Sequence, residues 1–222
     1  NMMIMIIYAL ITIAIFGMWY YARYEGNFLP SPKKTFNPMM IVAIVILVPG
    51  TQFAANFIAN LTGYIRPDWL QQYNELFETS GITDTTFVTV LYSVILAPIC
   101  EELIFRGVTM RCARKALPFA LANLMQAALF GLFHLNWIQG IYAFALGIVL
   151  GYVCERGGSI YYSMGLHLLF NLWGTLSGFF PDPGNSVVVF VVVIVVTIVS
   201  LVAGFVLFNK GRRKLPINST GI

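Results

Sequence analysis

The sequence predicts an all-α, polytopic transmembrane helix bundle. Three observations predict it: an apolar composition, seven apolar runs of spanning length, and basic residues confined to alternate connections. Of 222 residues, 59% are hydrophobic and 10% charged, with a mean hydropathy of +0.80. Soluble domains carry about 25% charged residues, so a chain this poor in charge belongs in lipid.

Runs of about 20 mostly apolar residues read as spans. The first, Met2 to Tyr21, lacks a basic leader and a small-residue cleavage site, which argues for a retained span rather than a signal peptide. Residues upstream of Asn1 would add an eighth span or a charged leader. The second, Met39 to Leu61, follows a loop punctuated by Pro30, Pro32 and Pro38. The third, Thr86 to Val108, follows the most polar connection, Tyr64 to Thr85, which has room for a short surface helix around Trp69 to Phe77. Pro118 opens the fourth, Leu117 to Leu135, and Gly157-Gly158 divides the fifth, Trp137 to Cys154, from the sixth, Ile160 to Phe180. Pro181-Asp-Pro-Gly184 precedes the seventh, Val187 to Phe208, whose valine-rich surface is expected to face lipid.

Charge orients this bundle, because short cytoplasmic loops retain Lys and Arg. Arg23, Lys33, Lys34, Arg111, Arg114, Lys115, Arg156, Lys210, Arg212, Arg213 and Lys214 fall on one side of a seven-span arrangement. Arg66 lies opposite, among Asp68, Glu75, Glu78, Asp84 and Asp182. The expected topology therefore places the C-terminus in the cytoplasm and Asn1 outside. This asymmetry and anionic lipid account for the net charge of +4 and the pI near 9.0, and no nucleic-acid partner is expected. Cys100, Cys112 and Cys154 show no CxxC spacing and read as small apolar packing residues, with neither a disulfide nor a thiolate zinc site indicated.

Against this background the ionisable residues inside the runs stand out, since each costs about 2.5–3.5 kcal/mol on insertion scales and so marks a functional site. The third run carries Glu101, Glu102 and Arg106, and Arg106 lies one helical turn beyond Glu102 at ion-pair spacing. That pair neutralises Glu102 and leaves Glu101 without a local partner, in a desolvated setting suited to a general base. Nearby Pro98 frees a backbone carbonyl and is expected to bend the helix. The fourth run places Phe130 one turn before His134, where an aromatic ring can wall a site. Glu101 and His134 are about equally distant from the turn near Leu117, so an antiparallel hairpin brings them to similar depth. The sixth run places His167 and Asn171 one turn apart, both able to donate hydrogen bonds to a developing oxyanion. One tension follows: His134 lies near the outer end of its run, whereas His167 is only about 9 residues, or about 14 Å, from the cytoplasmic turn. A helical hairpin from Arg111 to Pro118 projecting into the cytoplasm reduces that difference.

Glu101-Glu102-x-x-x-Arg106, Phe130-x-x-x-His134 and His167-x-x-x-Asn171, in this order on three runs, resemble the type II CAAX prenyl endopeptidase family, also called the CPBP or Abi family, over about Val94 to Trp173. The resemblance implies a single integral membrane domain over 1–222, with a catalytic core at about 86–180 and peripheral spans within 1–61 and 186–208. It implies an intramembrane glutamate endopeptidase without a cofactor, in which Glu101 and His134 activate water, His167 and Asn171 hold the oxyanion, and Glu102 and Arg106 support the site. The implied substrate is a membrane-associated or prenylated peptide or protein, processed among membrane lipid. Compact loops favour a bacterial cell membrane as the setting.

Two alternatives belong beside this reading. A zinc site from Glu101, His134 and His167 is chemically possible, since one Glu and two His form a known ligand set, but HExxH spacing is absent and three helices must converge. A non-catalytic bacteriocin-immunity scaffold or a transporter would use the same residues as packing contacts or a relay. A transporter favours paired broken spans in two repeated halves, which this sequence lacks.

Overall fold

The computed structural model describes residues 2–22, 36–80, 86–177 and 186–212. Among them it forms eight helices and no strand: α1 (Met2–Tyr20), α2 (Pro38–Ile65), α3 (Pro67–Ser80), α4 (Phe87–Ala113), α5 (Phe119–Phe133), α6 (Trp137–Gly157), α7 (Ile160–Ser177) and α8 (Val187–Gly211). Five of these, α1, α2, α4, α6 and α8, are long and apolar enough to cross a membrane. The protein is an integral membrane protein.

The expected count of seven spans is met only in part. The fourth run shortens to the 15-residue α5, about 22 Å long against a hydrocarbon core of about 30 Å, because the chain turns at His134 to Asn136. Leu135 there takes φ 54°, and the Asn136 side chain caps α6 by accepting from Gln139 N at 3.1 Å. The sixth run becomes the 18-residue α7, which carries Ser163, His167 and Asn171 and is not among the five. Its last expected residues, up to Phe180, lie outside the described residues, as do Arg23, Lys33, Lys34, Asp84, Asp182, Arg213 and Lys214. The surface helix expected around Trp69 is present as α3.

Two ends of the bundle are built differently. Near one end Arg111 donates to the Tyr20 hydroxyl at 3.1 Å, Arg114 pairs with Glu155 at 3.2 Å, and Asn37 donates to Gly211 O at 2.5 Å. At the other, Arg66 grips Asp68 through two hydrogen bonds of 2.9 and 2.6 Å and lies over Trp69, which stacks on Trp137 at 5.3 Å. That stack ties α3 to the start of α6.

The core runs along α2, α6 and α7, from Met40, Leu47 and Val48 through Leu146, Leu150 and Val153 to Leu166 and Phe170. Pro49, inside α2, cannot donate to the carbonyl one turn back and disturbs the ladder there. Ser200 of α8 fills the disturbed place: its hydroxyl accepts from Gly50 N at 2.8 Å and donates to Ile46 O. Ser200, Gly204, Phe208 and Gly211 are the buried residues of α8. The valine-rich helix thus exposes much of its surface while gripping α2 with its small residues.

Candidate active site

The site is built on α4, whose long helix is interrupted twice by wider π-type turns, Leu91–Leu96 and Leu103–Met110, on either side of the α-helical turn Ala97–Glu102. Such turns recur at functional sites because they re-aim side chains that a regular helix would align. In the π pattern Ala97 N donates to Tyr92 O, five residues back. The next carbonyl, Ser93 O, faces Pro98, which has no N–H. Asn171 of α7 supplies the missing donor, its Nδ2 lying 2.8 Å from Ser93 O.

Glu102 and Arg106 form the expected ion pair, Nη1 to Oε1 at 2.7 Å, and both side chains are fully buried. Two unit charges without solvent are tolerated only with close pairing and further hydrogen bonds. Arg106 also donates to Gly147 O at 3.3 Å, and its guanidinium stacks 4.5 Å above the Phe130 ring. Glu102 Oε1 is shared with His167, whose Nδ1 lies 2.9 Å away.

His167, 3% exposed, therefore stands between two carboxylates, because its Nε2 lies 3.6 Å from Glu101 Oε2. The neighbour of Glu101 thus comes from another helix, α7. Helix depth and the family resemblance paired Glu101 with His134; the imidazole within 4 Å of the Glu101 carboxylate is that of His167 on α7. Glu101 is the half-open member of the glutamate pair, with 17% of its side chain exposed, and so is the carboxylate that water or substrate can reach.

His134 lies at the C-terminal cap of α5, with Nδ1 2.8 Å from Phe130 O. A carbonyl can only accept, so Nδ1 carries the proton and, in the neutral ring, Nε2 is the acceptor nitrogen. The Phe130 ring meets the His134 and His167 rings at centroid distances of 4.9 and 5.7 Å, near-perpendicular in both cases. One aromatic ring thereby joins the two histidines, despite the difference in depth that their positions suggested. Phe105 packs on the same ring at 5.1 Å.

Sequence reasoning missed two contributors. Asn123 and Gln126 of α5 are buried: Gln126 Nε2 donates to Gly147 O at 2.9 Å and to Asn123 Oδ1 at 2.7 Å, and Asn123 Nδ2 donates to Ile148 O at 3.0 Å. Their signal was available, since positions 123, 126, 130 and 134 lie on one helical face. Among the described residues no group of three or more His, Cys, Asp or Glu side chains is placed to hold a metal ion. Cys100, Cys112 and Cys154 are all free thiols.

The order of these groups along α4, α5 and α7 has a counterpart among known families. Residues 83–173 match the family model described as Rce1-like, type II CAAX prenyl endopeptidase. This segment belongs to the CAAX protease (CPBP) family. No curated protein and no solved structure shows a significant match to the chain. The CAAX-protease segment runs from just before α4 into α7, and contains Glu101, Glu102, Arg106, Phe130, His134, His167 and Asn171.

Proposed function

We propose that this protein is an intramembrane endopeptidase that hydrolyses a peptide bond in a membrane-associated or prenylated substrate. The observation that carries this reading is the row Glu101, His167, Glu102, Arg106, in which a reachable carboxylate adjoins an imidazole oriented by a buried one. An imidazole whose far nitrogen is held by a carboxylate is fixed in orientation and tautomer, leaving Nε2 toward the chemistry. Glu101 takes a proton from water, the resulting hydroxide attacks the carbonyl carbon, and the carbonyl electrons move onto oxygen. The protonated Glu101 then gives its proton to the leaving amine as the tetrahedral species collapses.

The adjacent donors suit the oxyanion. One N–H of the Asn171 amide is committed to Ser93 O, and the other is available to substrate. His134 offers Nε2 from the far side of Phe130 and donates when protonated. The geometry favours His167 over His134 as the direct neighbour of Glu101, so His134 is assigned to substrate or oxyanion.

We further propose seven crossings, with α5 and α7 as short spans in a locally thin or tilted arrangement. The basic residues Arg111, Arg114, Lys115, Arg156, Lys210 and Arg212 then share the cytoplasmic end, and α3 with Asp68, Glu75 and Glu78 lies outside. A bacterial cell membrane is the preferred setting.

The test is cleavage of a membrane-associated peptide library by protein in nanodiscs, comparing wild type with Glu101→Gln and adding a chelator in parallel. Loss of cleavage in the variant without chelator sensitivity is expected. Chelator sensitivity would replace this mechanism with a metal-dependent one, and unchanged turnover in the variant would remove Glu101 from the chemistry.

A further inference from the structure

Arg106 has a third neighbour that none of the motif residues supplies. The Gly147 carbonyl that receives its Nη2 also receives Gln126 Nε2 at 2.9 Å, and Gln126 is itself completely buried. Two glycines of α6 make the space. A Cβ at Gly147 would come within 3.1 Å of Ala127 and 3.2 Å of the Phe130 ring, and one at Gly151 would overlap the Asn123 amide and reach 2.7 Å from Gln126 Nε2. The slot lets two α5 amides reach the backbone carbonyls of Gly147 and Ile148.

We infer that Gln126 is a positioning residue of the hydrolytic site, acting through the Gly147 carbonyl on Arg106 and through Arg106 on Glu102 and His167. This rests on the peptidase reading for its effect on turnover, but not for its effect on the histidine. The chain of contacts is continuous: Asn123 Oδ1 holds the Gln126 amide at 2.7 Å, Gln126 and Arg106 share Gly147 O, and Arg106 and His167 share Glu102 Oε1. Gln126 and Phe130 lie one turn apart on α5, so the amide clamp and the ring beneath Arg106 are set by the same helix rotation. Without the amide, the carbonyl and guanidinium lose a fixed point, and the His167 ring loses the placement it inherits.

The chain contains only two histidines, which makes the coupling directly readable. Gln126→Met keeps an unbranched side chain of similar length and removes the donor. In nanodiscs with 15N-labelled imidazoles, His167 resonances are expected to move in Gln126→Met while those of His134 stay in place. Turnover should fall about tenfold or more in kcat with KM nearly unchanged, because misplacement rather than substrate contact is lost. Asn123→Ser, which removes the Oδ1 that orients the Gln126 amide together with the Nδ2 bond to Ile148 O, leaves Gln126 and its Gly147 contact in place, should shift His167 in the same direction by less, and serves if Gln126→Met does not fold. A folded variant with unmoved His167 resonances overturns the proposal. Wild-type protein without turnover but with the His167 shift would overturn the peptidase reading and leave the clamp standing.

Discussion

Asn171 Nδ2 lies 2.8 Å from Ser93 O, the carbonyl whose partner in the π-type turn of α4 would be the N–H that Pro98 lacks. A proline on one helix and an amide on another therefore complete each other. Removing the amide by Asn171→Leu leaves a carbonyl without its donor, expected to cost about 1–3 kcal/mol. Pro98→Ala restores an N–H at the same place. In a double-mutant cycle read by denaturant unfolding in nanodiscs, Asn171→Leu should be less damaging in the Pro98→Ala background. Turnover should stay low in the double variant, because the second amide proton is still gone. Simple additivity of the two stabilities would break the proposed link.

Arg106→Met should destabilise the fold by about 3–5 kcal/mol, since it strands the Glu102 carboxylate in a fully buried position. Glu102→Gln combined with Arg106→Met should recover much of that loss, because neither charge remains. Unfolding midpoints of the two single variants and the double variant decide this; an unrecovered double variant would show that packing around Arg106 outweighs the ion pair.

Ser200→Ala removes the hydroxyl that accepts from Gly50 N and donates to Ile46 O beside Pro49. The expected cost is about 1–3 kcal/mol, larger than for Thr197→Val on the same helix, where the hydroxyl bonds only its own helix at Val193 O. Equal losses at the two positions would argue against the role of Ser200 in bridging the interrupted ladder of α2.

At the α2–α3 junction the Arg66 guanidinium, hydrogen-bonded to Asp68, holds that carboxyl below its ordinary range. The folded state thus favours the ionised form. Its contribution is present above the unfolded pKa and is lost as pH falls through the folded one, below about pH 4. Because the pair is open to solvent, the effect should be small. Fluorescence of the stacked Trp69 and Trp137 should respond to acid in the wild type and respond less in Asp68→Asn; identical titrations would dissociate the pair from the stack.

Glu101, Glu102, Arg106, His134, His167 and Asn171 were legible because ionisable and amide groups in apolar runs are costly and therefore conspicuous. Their pairing was less so. Residue counting measures depth along a helix but not its rotation, so it gave no sign that His167 stands beside Glu101. Counting also made α5 too long, because an apolar Leu135 does not reveal a turn that its positive φ creates. Asn123 and Gln126 escaped attention as neutral amides in a helix otherwise suited to lipid, although their spacing to Phe130 pointed to the same face. The hold of α8 on α2 was hidden by its valines, since one serine and a few glycines carry it.

That hold has a mechanical consequence. A serine hydroxyl spliced into another helix's backbone resists sliding as well as separation, so α2 and α8 behave as a fixed post. One hydrogen bond between α1 and α4 lies at the far end of α1, between Tyr20 and Arg111, and α1, like α8, has most of its surface open to the surroundings. A pull on α8 still reaches the α2 backbone directly, through Gly50 N and Ile46 O, and not only through packed side chains.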